Sequence, residues 1–233
     1  MNMKRFFSFM ASCTLISQAL LGREFFEHGK IDVGPIYLRM DIENNGVRTE
    51  VLKSVGFRAN ASIQAWEGLI LKPSFMTAGG EANLIAGGFG VGWYVPVADW
   101  LSVTPTIAYS ISDMDFDVNL PQYGVEVSNQ NFYSYGFSSG VDIGITPCKT
   151  VFISLGVMYA WPTTETTIDA LIIDGQSFKS TTSSKGPIYA AQVDYYFDET
   201  WSVNVAYGYQ LSMAKEKNSM TAAGWRIGGG YFF

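Results

Sequence analysis

The sequence predicts an all-β fold: a closed, antiparallel, up-and-down transmembrane β-barrel of about ten strands, with eight strands as the alternative. Three observations lead there. Large apolar side chains alternate with small or polar ones through segments of about ten residues, which describes a strand with two unlike faces and the length a tilted strand needs to cross a bilayer. Short and longer connections alternate along the chain, as hairpins turning back at the two sides of a membrane require. Charged residues inside these segments share the parity of Gly, Ser and Ala, not that of Val, Ile and Tyr. A closed barrel is the arrangement in which strands leave no backbone hydrogen bond unmade in lipid.

The first residues are set apart. Lys4 and Arg5 precede an uncharged apolar run from Phe6 to about Leu21, and Ser17-Gln18-Ala19 puts small residues at −3 and −1. This pattern is a secretory signal peptide over residues 1–19, with the cut falling between 19 and 22. A lipoprotein-type signal at Met10-Ala11-Ser12-Cys13 is the alternative, with only a short apolar run ahead of Cys13. Residues 20–29 are then an N-terminal segment and 30–233 the barrel.

The first strand is read from Ile31 to Ile42, with Ile36, Leu38, Met40 and Ile42 opposed to Tyr37, Arg39 and Asp41. Asn44-Asn45-Gly46 supplies turn chemistry. The second, Glu50 to Ile63, sets Val51, Val55, Phe57, Ala59, Ala61 and Ile63 against Ser54, Gly56, Arg58, Asn60 and Ser62. The third, Leu69 to Thr77, is short and carries Pro73; were Glu50–Thr77 one irregular arm, the count would fall to eight. Ala82 to Ala98 is uncharged and nearly long enough for a membrane helix, but it holds Gly87, Gly88, Gly90, Gly92 and Pro96. Its alternation of Ile85, Phe89, Val91, Trp93 and Val95 with small residues favours a strand. Leu101–Ser112, Asn131–Ile145, Val151–Trp161, Ile188–Phe197, Trp201–Met213 and Thr221–Phe233 complete the ten.

Gln64–Gly68, Pro96–Trp100, Thr146–Thr150 and Asp198–Thr200 are short connections; Met114–Gln130 and Pro162–Gly186 are read as long polar loops. A cation on the lipid face near mid-bilayer costs about 2–4 kcal/mol. Arg39, Asp41, Arg58, Asp142, Asp194 and Arg226 are therefore assigned to the lumen as a charged network. Trp93, Tyr94, Trp100, Tyr109, Tyr133, Trp161, Trp201 and Tyr231 lie near strand ends, where an amphipathic ring sits at headgroup level.

The last strand reads TAAGWRIGGGYFF. Arg226, Gly228, Tyr231 and Phe233 match, in register, a polar residue, a glycine two later and two aromatic residues ending at the terminus. This resembles the C-terminal assembly signal of bacterial outer-membrane barrels, and the alternating chain resembles the small barrels of the OmpA-domain and opacity-protein type. The resemblance implies an outer-membrane location, contact with outer-membrane lipid, and insertion by the barrel-assembly machinery. It makes residues 20–29 periplasmic and leaves no further domain expected after Phe233.

Composition narrows the function. Only 15% of residues are charged, against about a quarter in soluble domains, while 48% are hydrophobic and 15% aromatic. Loss of Lys4 and Arg5 with the signal moves the formal charge from −6 to −8, so no nucleic-acid partner is expected. After cleavage Cys148 stands alone, which excludes an internal disulfide. His28 is the single histidine. Zinc or haem held by side chains is therefore not expected, nor is a His-based rim enzyme. Gly88-Phe89-Gly90-Val91-Gly92 is not G-x-G-x-x-G and suits a narrow interior better than a nucleotide. Asp113, Asp115 and Asp117 alternate, either as a calcium-binding set or as a solvated loop. The expectation is a protein without catalytic residues, cofactor or metal, presenting its loops to a host or surface ligand. The alternative is a narrow channel or small-solute transporter controlled by Arg39, Arg58, Asp142, Asp194 and Arg226.

Overall fold

A computed structural model describes residues 29–44, 46–120, 125–169, 177–214 and 218–233. Period-two alternation produces strands throughout: β1 (Gly29–Asn44), β2 (Val47–Trp66), β3 (Leu69–Gly80), β4 (Asn83–Trp93), β5 (Val95–Ala98) and β6 (Leu101–Leu120). β7 (Val125–Cys148), β8 (Val151–Asp169), β9 (Ser177–Ser183), β10 (Gly186–Tyr196), β11 (Trp201–Met213) and β12 (Ser219–Phe232) follow. Sequence neighbours pair antiparallel, and β12 returns to β1 from Ile31↔Tyr231 to Glu43↔Ser219, which closes the wall.

Two staves are interrupted. β4 and β5 form one stave broken at Tyr94, whose N–H donates to the Gly68 carbonyl. β9 and β10 form another: β9 pairs with the far half of β8 and β10 with its near half. The barrel therefore has ten staves, not eight. The doubtful third segment is a full strand, with Pro73 opposite Phe89.

Gly29, Phe233 and the tight turns at 67–68, 99–100, 149–150 and 197–200 lie at one end. Gly68 has φ 75°, a left-handed conformation that glycine adopts without penalty. In an up-and-down membrane barrel, the end with short turns is the periplasmic one.

The long polar loops of the sequence reading are corrected. Met114–Gln130 and Pro162–Gly186 are mostly strand, because β6 runs to Leu120, β7 starts at Val125, and β8 and β9 pair from Thr163↔Ser183 to Asp169↔Ser177. β7 has 24 residues. A tilted crossing uses about 10, so more than a dozen lie beyond the bilayer. Together β6 to β9 raise a sheet above one side of the barrel. Alternation continues there with Met114, Phe116 and Phe132 turned inward, but the outer face carries Asp113, Asp115, Asp117, Asn129 and Asn131, so hydropathy alone reads as loop.

The outer surface is an apolar belt: Val55, Phe57, Ile85, Phe89, Ile107, Phe137, Val157, Val205 and Ile227 all point outward and are exposed. Rings border it. Trp66, Trp93, Trp100, Tyr195, Trp201 and Tyr231 lie toward the short-turn end, and Tyr37, Trp161, Tyr189 and Trp225 toward the other, with Tyr133 four residues beyond the Trp161 level.

Inside, the barrel is filled in two layers. Toward the long-hairpin end, Ile36, Leu38, Met40, Ile42, Leu52, Met76, Leu84, Met114, Phe116, Phe132 and Met220 form a packed apolar plug. The Phe116 and Phe132 rings stack 5.2 Å apart. Toward the periplasmic end the interior is charged, and Phe152, Tyr196 and Phe232 close it below. A ten-strand barrel is narrow enough for side chains to fill in this way.

Candidate functional site

The polar layer is built by inward-facing positions on β1, β2, β3, β6, β7, β10, β11 and β12. Lys30 and Asp32 come from β1, Asp194 and Gln192 from β10, Asn204 from β11, and Arg226 from β12. The Lys30 ammonium lies 2.6 Å from Asp194 and 2.8 Å from Asp32, and 5.2 Å above the Phe232 ring. Gln192 donates to Asp194 at 2.8 Å, and Asn204 donates to Asp32 at 2.8 Å. Arg226 Nη2 donates to Gln192 Oε1 at 2.9 Å and to Asn204 Oδ1 at 3.0 Å.

Arg58 on β2 is fully buried and donates from Nε to Asn60 Oδ1 at 2.9 Å. A second pair spans the lumen: Lys72 on β3 sits 3.3 Å from Asp142 on β7, and the Thr106 hydroxyl donates to the same carboxylate at 3.1 Å. Contacts this short between staves three steps apart tie separate parts of the wall together across the interior. The chemistry on offer is fixed charge and hydrogen bonding in a dry space. There a well-paired ion is held firmly and an unpaired one is costly.

Of the six residues assigned to the lumen, four are there: Arg58, Asp142, Asp194 and Arg226. Arg39 and Asp41 are not, and this is a correction. Both are on the outer face with Arg48, Arg39 lying 3.2 Å and Arg48 3.6 Å from Asp41. The reason is height. Tyr37, opposite Trp225, marks the outer headgroup level, and Arg39 lies two residues further out, where its charge meets water. On the inner side at the same height, Ile36, Leu38, Met40 and Ile42 enter the plug. Here the greasy parity faces the interior and the charged parity faces out.

Sequence reasoning missed Lys30, Asp32 and Lys72. Their signal was available, because Asp32 shares parity with inward-facing Gly34 and Ile36, and Lys72 with inward-facing Ile70 and Met76. Lys30 and Asp32 stood at the edge of the first segment and Lys72 beside Pro73, where the strand was least certain.

No protein-family model matches the chain, and no curated protein sequence matches it. Solved structures do. The outer membrane protease OmpT of Escherichia coli aligns over 92% of this chain and 100% of its own at 6% identity, with a TM-score of 0.64. The translocator domain of the autotransporter NalP of Neisseria meningitidis covers 90% of each chain at 11% identity, with a TM-score of 0.51.

The fold is that of a bacterial outer-membrane β-barrel. Together with the apolar belt, this places the chain in the outer membrane. At such identities the likeness extends to the fold alone.

Other candidates can now be located. Asp113, Asp115 and Asp117 stand on the outer side of β6, and the aspartates are bound by amides: Asn131 donates to Asp113 at 2.6 Å and to Asp115 at 2.8 Å, and Asn129 to Asp117 at 3.3 Å. Among the described residues no cluster of three His, Cys, Asp or Glu could hold a metal. His28 and the signal region, with Cys13, lie outside the described residues. Cys148 is exposed in the turn between β7 and β8. Hydrogen bonds from the Thr150 hydroxyl and backbone N–H lower its thiol pKa below the ordinary range. In intact cells, a membrane-impermeant maleimide is expected to leave Cys148 unlabelled, and to label it at neutral pH once the outer membrane is opened. Labelling of intact cells would invert the assigned orientation.

Proposed function

We propose that the protein is a closed, non-catalytic outer-membrane barrel that works by presenting the raised β6–β9 sheet to a partner outside the cell. The observation that carries this reading is the contrast between a lumen holding a packed apolar plug and buried ion pairs and one sector of wall extended far past the bilayer. The extended sector carries exposed Tyr133 and Asn129, half-buried Tyr135 and Asn131, and the carboxylates of Asp113, Asp117 and Glu165. Rigid aromatic and amide groups on a sheet make good contact surface at small entropic cost. The chemistry of the surface suits a polar ligand on a host or neighbouring surface.

The test compares cells displaying wild-type protein with cells displaying a Tyr133→Ala, Tyr135→Ala, Asn131→Ala variant. Adherence to cultured host cells is expected to fall about tenfold or more while the barrel remains folded, as loss of a central contact patch does. Equal adherence of both would refute the reading. The channel alternative is decided by the same purified protein in planar bilayers. No discrete openings are expected, and steps that change on neutralising Arg58 or Asp142 would favour a conducting lumen instead.

The terminal strand carries its own proposal. Arg226, Gly228, Tyr231 and Phe233 act as the signal read by the assembly machinery before the strand closes on β1. Tyr231 and Phe233 are exposed on the outer face, with their rings 6.4 Å apart. Tyr231→Ala with Phe233→Ala is expected to lower folded protein in the outer membrane severalfold. Urea refolding into detergent is expected to be little changed; equal loss in both assays would mean a purely structural role.

A further inference from the structure

The polar layer has more positive charge and more donors than its own residues use. Its described inward-facing ions are Lys30, Arg58, Lys72 and Arg226 against Asp32, Asp142 and Asp194, one cation in excess. Arg226 is 1% exposed, and only its Nη2 is spoken for; Nε and Nη1 have no hydrogen-bond partner. Asn60 Nδ2 is a third buried donor without a partner. That amide belongs to the side chain that Arg58 grips, and Arg58 and Arg226 lie on the two strands flanking β1, opposite Gly34 and Ile36, both buried, so two like-charged guanidinium groups face the same dry space.

Each unmet donor in such a place costs free energy, and an ionised one costs most. A group that removes all of these costs at once must be negative, singly charged, small, and an acceptor only. We propose that a halide-sized monovalent anion occupies the polar layer, held by Nε and Nη1 of Arg226 and Nδ2 of Asn60 beside Arg58. A spherical anion accepts from any direction, so it can serve donors on β2 and β12 together. It brings the described charges to balance. The neighbouring carboxylates are already turned to other partners: Asp32 to Lys30 and Asn204, Asp194 to Lys30 and Gln192. The anion is a structural ligand of the stopper, enclosed when the barrel closes, and this inference is independent of the surface role proposed above.

The probe is bromide. The mature chain is refolded from urea into detergent with bromide as the only halide, crystallised, and measured at the bromine absorption edge. An anomalous peak within hydrogen-bond distance of Arg226 Nε or Nη1 is expected. Density at those atoms without anomalous signal, meaning water, overturns the proposal, as does bromide found only at the protein surface. A solution measurement runs alongside. With bromide at 100 times its dissociation constant, the unfolded-to-folded ratio is expected to fall about 100-fold relative to an equal concentration of gluconate. Arg226→Gln, which brings the described charges to balance by itself and keeps a donor, is expected to fold and to lose this dependence. Equal halide dependence in wild type and Arg226→Gln overturns the assigned site.

Discussion

Asp142→Ala is expected to destabilise the barrel by about 3–5 kcal/mol, since it removes the carboxylate that faces a buried lysine. Lys72 and Asp142 are 3% and 4% exposed and lie on staves separated by β4 and β6. Their contact is therefore made across the lumen, and no backbone pairing supports it. Removing one partner leaves charge in a place without water, whereas removing both leaves only a packing question. The double change Lys72→Met with Asp142→Leu is accordingly expected to recover most of the loss. The measurement is the urea midpoint of the detergent-folded protein, followed by heat-modifiable migration on gels. If the single and double variants unfold at the same urea concentration, the pair does not couple and the lumen is wetter than its burial indicates.

The second large effect separates the two outer zones. Ile227 is 66% exposed and sits in the middle of the apolar belt, so Ile227→Arg is expected to cost about 2–4 kcal/mol in a bilayer. Arg39→Ala, on the same outer surface but beyond the Tyr37 ring, is expected to cost about 0–1 kcal/mol, the worth of an exposed ion pair. The comparison is made by unfolding both variants from lipid vesicles of one composition. Similar costs at the two positions would mean that the membrane boundary lies elsewhere.

Much of the barrel was legible because a sheet with lipid on one side enforces strict alternation. Residues such as Ile107, Tyr109 and Ile111 against Ala108 and Ser110 are oriented as their parity requires, and the seam strand turns Trp225, Ile227 and Tyr231 outward. The reading failed where its contrast fades. Above the bilayer, β6 to β9 are bathed by water on the outside, so polarity no longer distinguishes strand from loop. In the upper interior, Leu38 and Met40 face in because that space is dry, and a rule that sends apolar side chains to lipid assigns them to the wrong side. The luminal charges were half visible for a related reason. Arg58, Asp142, Asp194 and Arg226 interrupt otherwise uncharged strands, whereas Lys30 and Lys72 stand beside a segment end and a proline. Which of these ions meet was beyond the sequence, since Lys72 with Asp142 and Lys30 with Asp194 become neighbours only when the sheet curls round.

The apolar plug draws on β12, β1, β2, β3, β4, β6 and β7. Members on paired strands, such as Phe116 and Phe132, can meet within a hairpin, but members on strands that do not pair meet only when the sheet has curled round, so sealing the cylinder completes its core. Until then an unfinished molecule is greasy on both sides of the sheet, and in an aqueous compartment it is expected to aggregate unless those faces are shielded.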